Sequence, residues 1–159
     1  LPVVRHRMGA AMIRIAAVLA LVASPALADQ PPGLQQLLDY HALACSGQGG
    51  DLTVGPDAVV EAWLNGPETP AWMLDSSKLM CSSAPTMFCG DGVGCELNVF
   101  VGDAQHSLIV LDWSLVPDDD RQLLQVTIAA ALVRRTQDLT TRMTWDSAAG
   151  ALVTIDPAN

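Results

Sequence analysis

"SLIVLDWSLV", residues 107–116, is a ten-residue run of mostly aliphatic, β-branched and aromatic side chains, interrupted by Ser107, Asp112 and Ser114 and without a glycine or proline. Such a run reads as one long β-strand, and that reading decides the fold, because a strand of this length needs neighbours. The flanks supply them. Upstream, "ELNVFVG" (96–102) places Leu97, Val99 and Val101 on one face. Downstream, "PDDDR" (117–121) is a turn with a solvated acidic tip. "AVVEAW" (58–63) and "PAWMLD" (70–75) read as strands around the turn residues Asn65, Gly66 and Pro67. "TRMTWD" (141–146) and "ALVTI" (151–155) form a closing hairpin around "SAAG". "LLQVTIAAALV" (123–133) is open between strand, for Val126, Thr127 and Ile128, and helix, for its three alanines. Ahead of all these, Leu34, Leu37, Leu38, His41, Ala42 and Cys45 recur at helical spacing, which predicts an amphipathic helix over 33–45 after Pro31 and Pro32. The expectation is an α+β fold: one N-terminal helix packed on an antiparallel sheet of about six or seven strands.

The first 28 residues carry Arg5, Arg7 and Arg14 and no acid, then "IAAVLALVA" (15–23), then Ala26 and Ala28 ahead of Asp29. A basic start, a short apolar run and small residues before a cut site are the parts of a secretory signal peptide. The run falls short of the ~20 residues that span a bilayer, so no membrane insertion is expected after cleavage at Ala28–Asp29. Met8 and Met12 are alternative starts. The expectation is therefore a signal peptide over 1–28 and a single disulfide-stapled domain over 29–159, in the periplasm or secreted. Residues 29–159 hold five basic against seventeen acidic residues, a formal charge of −12. Nucleic acid and anionic membrane surfaces need clustered Lys and Arg, so neither is an expected partner, whereas a cationic protein is.

Four cysteines, Cys45, Cys81, Cys89 and Cys95, stand 36, 8 and 6 residues apart. That spacing contains no Cys-x-x-Cys for zinc or for thiol exchange, and an even count in an exported chain reads as disulfides. Of the three pairings, Cys89–Cys95 with Cys45–Cys81 is favoured, because "GDGVG" between the former pair turns back on itself readily. The ring residues Gly90, Asp91, Gly92, Val93 and Gly94 make a candidate partner-binding loop.

Catalytic signatures are sparse. His41 and His106 are the histidines of 29–159, and His41 stands four residues before Cys45 on one helix face. A disulfide at Cys45 removes that nucleophile. His106, in "GDAQHS", reads as a surface-loop residue. Gly-x-Ser-x-Gly is absent, and no lysine follows the spaced glycines of the ring as a phosphate loop requires. Asp112, between Leu111 and Trp113, reads as outward-facing or paired with Arg134 or Arg142. No catalytic residue, cofactor or metal is assigned.

"WLNGPETPAWMLD" (63–75) resembles the "DLNGDGKPDWVLD" run of FG-GAP/VCBS-type calcium loops. With Cys81, the Cys89–Cys95 ring leading into "LNVF", and "WDSAAGALV" (145–153), it is similar to a group of small exported bacterial proteins of unknown function, over most of 45–153. Asn65, Gly66, Pro70, Trp72, Leu74 and Asp75 match the loop, while Trp63, Pro67 and Ala71 replace its ligands. Asn65, Glu68 and Asp75 are thus the degenerate calcium-loop positions, with Glu61 close by. Since Ca²⁺ takes six to eight oxygens, the resemblance implies the turn without the ion.

The function expected is a non-enzymatic, acidic, exported binding or envelope-associated protein. One alternative is a periplasmic inhibitor of a cationic hydrolase such as a lysozyme. "CGDGVGC" is similar in outline to the Cys-closed loops of lysozyme-inhibitor families, though it lacks their loop histidine. The other alternative is a small hydrolase built on Asp and His.

Overall fold

A computed structural model of the chain describes residues 30–155. The signal-peptide reading of 1–28 lies outside the described residues. Helix α1 (Pro32–Gly47) opens with proline in its first turn, where a missing N–H costs nothing. It buries Leu34, His41 and Cys45. Its partners are Leu74, Leu79 and Phe100, and the Phe100 ring lies 3.3 Å from where a Cβ on Gly33 would stand. The helix therefore approaches the sheet at a glycine.

Among the described residues eleven strands follow, all paired antiparallel, in three sheets. A two-stranded ribbon joins β1 (Leu52–Val54) to β4 (Leu79–Cys81). A five-stranded sheet runs from β2 (Val59–Ala62) through β3 (Ala71–Asp75) to β6 (Gly94–Val101). In it β5 (Cys89–Gly90) shares the β3 side of β6 and β7 (Ala104–Val110) takes the other. A four-stranded meander holds β8 (Asp112–Asp118), β9 (Arg121–Ile128), β10 (Leu139–Asp146) and β11 (Ala151–Thr154). The two larger sheets share one core: Met73, Leu97, Val99 and Val110 meet Leu124, Val126, Met143, Trp145 and Leu152. Helix α1 covers the other face of the five-stranded sheet, so β6 is buried without interruption from Leu97 to Val101.

This corrects the expectation of one sheet of six or seven strands; the protein is mostly β, two packed sheets and a ribbon with one long helix over them. The physical reason lies in 107–116. Along β7 the even positions Ala104, Leu108 and Val110 turn to the core, and unbroken alternation would drive Asp112 in after them. A buried lone carboxylate is costly. The strand instead breaks at Leu111, and the phase slips by one residue: Trp113 and Leu115 face the core while Asp112 and Ser114 face solvent. Beyond the break, Leu111 N–H donates to Thr127 O at 2.7 Å, and the chain now belongs to the opposite sheet. The ambiguous 123–133 run likewise splits, into β9 and a four-residue helix α2 (Ala130–Val133), whose first N–H is held by Asp138 Oδ1 at 2.8 Å. His106 lies within β7, opposite Val99, rather than in a loop.

Both disulfides are formed, Cys45–Cys81 and Cys89–Cys95, and no cysteine is free. The first, fully buried, ties the last turn of α1 to β4. The second closes the β5–β6 hairpin, its half-cystines directly opposite in the ladder. Such pairing belongs to an oxidising environment. From loop length alone, replacing both Cys45 and Cys81 by serine is expected to cost about 4 kcal/mol, and replacing Cys89 and Cys95 about 2 kcal/mol. Urea denaturation of the two double variants measures the order and the gap; equal losses would contradict the loop-length account.

Candidate functional site

The ring at 89–95 is shaped by its glycines. Gly90 pairs with Gly94 across the hairpin, and Gly92 sits at φ 70° in the turn. Gly94 is at φ 105°, and a Cβ there would stand 2.9 Å from Leu111 N and closer still to the Val110 carbonyl. The ring is thus seated against the very residues where the chain changes sheets, and only glycine fits the seat. Val93 folds back over Gly90, which leaves Asp91 and Gly92 as the exposed tip.

A cleft opens on either side of this disulfide. On the Cys95 side, about 270 Å³ is lined by Asp57, Asp75, Lys78, Asp112 and Trp113 among others. Asp57 and Asp112 are exposed, while Asp75 is 5 % exposed and fully engaged. Asp75 Oδ1 accepts from Ser77 N at 2.9 Å, capping the 3₁₀ turn Ser76–Lys78, and its Oδ2 accepts from Trp113 Nε1 at 2.9 Å. That carboxylate bolts the end of β3 to β8 of the opposite sheet. With three carboxylates against one lysine, the cleft is negative. On the Cys89 side, about 380 Å³ is lined by Met87, Phe88, Val93, Ile109 and Leu132, with Glu96 as the one charged wall residue. Met87, Ile109 and Leu132 are 36–47 % exposed, an apolar patch of the kind that marks contact surfaces. One disulfide therefore partitions an acidic cleft from an apolar one.

The degenerate calcium-loop positions are not brought together. Asn65 Oδ1 accepts from Ser147 Oγ at 2.9 Å, joining the 63–70 turn to the β10–β11 turn. Asp75 lies at the far end of β3 in the bonds just described, and Glu68 is exposed. Among the described residues no group of three or more His, Cys, Asp or Glu side chains could hold a metal ion.

The histidines stand apart as well. His41 is 7 % exposed on the inner side of α1, with the Phe88 ring edge-on at 5.0 Å. Its Nε2 has no hydrogen-bond partner among the described residues. Burial holds the imidazole below its ordinary value, against the pull of Glu96. His106 shares the phase of Ala104 and Leu108, so it lies on the core-facing side of the five-stranded sheet, opposite the face that α1 covers. Cys45 is bonded to Cys81 and offers His41 no thiol.

Sequence reasoning singled out the ring, Asp75 and Asp112, but not the clefts. The missed signal was the unbroken "LIVL" of 108–111: on a strand with one face in the core, its odd members Ile109 and Leu111 must be exposed, and each is 41 % exposed. No family model, no curated protein and no solved structure matches the chain.

Two outcomes follow from this geometry. Gly94→Ala is expected to destabilise by about 2 kcal/mol, since both its backbone angle and its seat against Val110 reject a side chain; a loss below a few tenths in urea would refute the seat. The His41 imidazole is harder to protonate folded than unfolded, so stability is full above the ordinary histidine value of about 6.5 and declines as pH falls through it toward the lowered one. Melting temperature is expected to fall between pH 7.5 and 5.5, and His41→Gln to flatten that slope.

Proposed function

We propose that this chain is an exported, non-enzymatic binding module of the periplasm or cell exterior, and that the Cys89–Cys95 ring presents its docking surface to a cationic protein. The observation that carries this reading is the pairing of an acidic and an apolar cleft on the two sides of one rigid disulfide. A partner segment with a lysine or arginine beside an aliphatic side chain complements both. The cation lies between Asp57 and Asp112 in the acidic cleft, and the aliphatic group enters among Met87, Ile109 and Leu132. The ring itself loses little freedom on binding, because the disulfide and the Gly94 seat have already fixed it. The charge of −12 over 29–159 draws such a partner in, and the formed disulfides agree with the secretory reading of 1–28.

Inhibition of a cationic hydrolase such as a lysozyme is the narrower form of the same reading, with the Asp91 tip entering the enzyme's cleft. A hydrolytic role draws no support from histidines on opposite faces of a sheet.

The test is capture from periplasmic extract on the immobilised 29–159 chain, beside an Asp57→Asn/Asp91→Asn/Asp112→Asn variant that leaves the structural Asp75 intact. The expected result is a discrete basic protein retained at low salt, bound about tenfold more weakly by the variant and eluted by raised salt. A protein held equally by both columns, or none held by either, would remove the proposal. Lysozyme added to the purified chain distinguishes the narrower form by loss or retention of its activity.

A further inference from the structure

Residues 30–155 contain five basic side chains, Lys78, Arg121, Arg134, Arg135 and Arg142, and one place where two adjoin. Arg134 and Arg135 lie in the connection from α2 to β10, where every residue from 134 to 138 is exposed. We propose that this loop is a processing site for a protease that reads paired arginines, and that the cut leaves β10–β11 attached by non-covalent contacts alone.

The pair is exposed and its backbone lies outside the strand ladders, whereas the backbone at the other basic residues is held in or at the end of one. Arg121 is half-buried at the start of β9, its guanidinium bonded to Asp118 at 3.0 Å and Thr144 at 3.3 Å. Arg142 sits inside β10, opposite Gln125 of β9 on one side, with its carbonyl taken by Ile155 N on the other. The Lys78 carbonyl accepts from Gly55 N at 2.8 Å, and Leu79 is already in the ribbon with Val54. A protease binds its substrate extended, so each of these sites demands that a ladder be opened. At 134–135 the demand is smaller. The Arg135 N–H donates to Ala130 O at 3.0 Å, closing a helix of four residues, and Asp138 holds the other end of that helix. A helix so short has little stability of its own to lose.

Paired guanidinium groups suit a protease whose binding pockets carry carboxylates, through bidentate hydrogen bonds. Hydrolysis adds one water: the carbonyl carbon of the first residue gains the hydroxyl, the C–N bond breaks, and the amide nitrogen leaves as an amine with the proton. The consequence follows from the disulfides. Both lie within 45–95, so neither spans the cut, whereas a cut after Lys78 would be spanned by Cys45–Cys81. The severed hairpin then depends on the β9–β10 ladder and on Met143, Trp145 and Leu152 in the shared core.

The folded chain is treated with limiting trypsin and, separately, with a dibasic-specific protease, then run on a denaturing gel without reductant and mapped by mass. The expected first product begins at Arg135 or Thr136, separates in denaturant without reductant, and co-elutes with the remainder on native gel filtration. Arg134→Asn/Arg135→Gln, compared well below its own melting temperature, is expected to slow loss of the intact chain at least tenfold with both proteases. A first cut after Lys78, Arg121 or Arg142 would overturn the proposal. So would a folded chain that the dibasic-specific protease leaves whole while it cuts the urea-unfolded one.

Discussion

Asp112 stands one residue beyond the break at Leu111, at the position where an unbroken strand would have carried its carboxylate between the two sheets. The cost of burying that charge is of the same order as the stability of a small domain, and the chain avoids it by breaking its own alternation at Leu111. Most of the architecture depends on this slip. It ends the pairing with β6 at Val110 and begins the pairing with β9 at Asp112, so a single run of apolar residues serves two sheets. It sends Trp113 inward, where the indole N–H reaches Asp75, and leaves Asp112 on the rim of the acidic cleft. The same corner receives the ring, because Gly94 packs against Val110 and Leu111.

The five-stranded sheet is the layer that everything else covers. One face meets the four-stranded meander and the other meets α1, so β6 has no wet side along its second half. Polar groups inside such a layer need partners. Asn98, fully buried among β6 neighbours, accepts through its side-chain oxygen from Gln105 and Ser107 of β7. Trp63 and Gln122 close the far side: the Trp63 N–H donates to the Gln122 side chain at 2.9 Å, and the Gln122 N–H returns a bond to the Trp63 carbonyl at 3.0 Å. With Asp75–Trp113 at the opposite end, the two sheets are fastened at two places by hydrogen bonds as well as by the core between them.

Much of this was legible in the residues. The helix spacing of Leu34, Leu38, His41 and Cys45, the alternation of Leu97, Val99 and Val101, and the disulfide pairing all have local signatures. The division into two sheets did not, since periodicity reports which residues are apolar and not where an alternation changes phase. In "IVLD" the three apolar residues carry no sign of where the phase changes; only Asp112 shows which way it must go. The short strands β1, β4 and β5 were also hidden, because runs of two or three residues form where a disulfide or a neighbour holds them rather than by propensity. The ring was visible as a closed loop, but its two clefts are made by β7, β8 and α2 and could not be seen from its own seven residues.

Strand β8 has a further consequence as the outer member of the meander. Its free side offers backbone groups to any passing chain, the usual route to edge-to-edge aggregation. Pro117 removes one donor there, and the exposed Asp112 places a negative charge at one end of the row, while Asp118 at the other is paired with Arg121. The opposite edge, β11, is only four residues long. The acidity of this protein is therefore partly positional: the carboxylate that set the sheet change also guards a sheet margin, and without Asp112 and Pro117 that margin would lie open to copies of the chain.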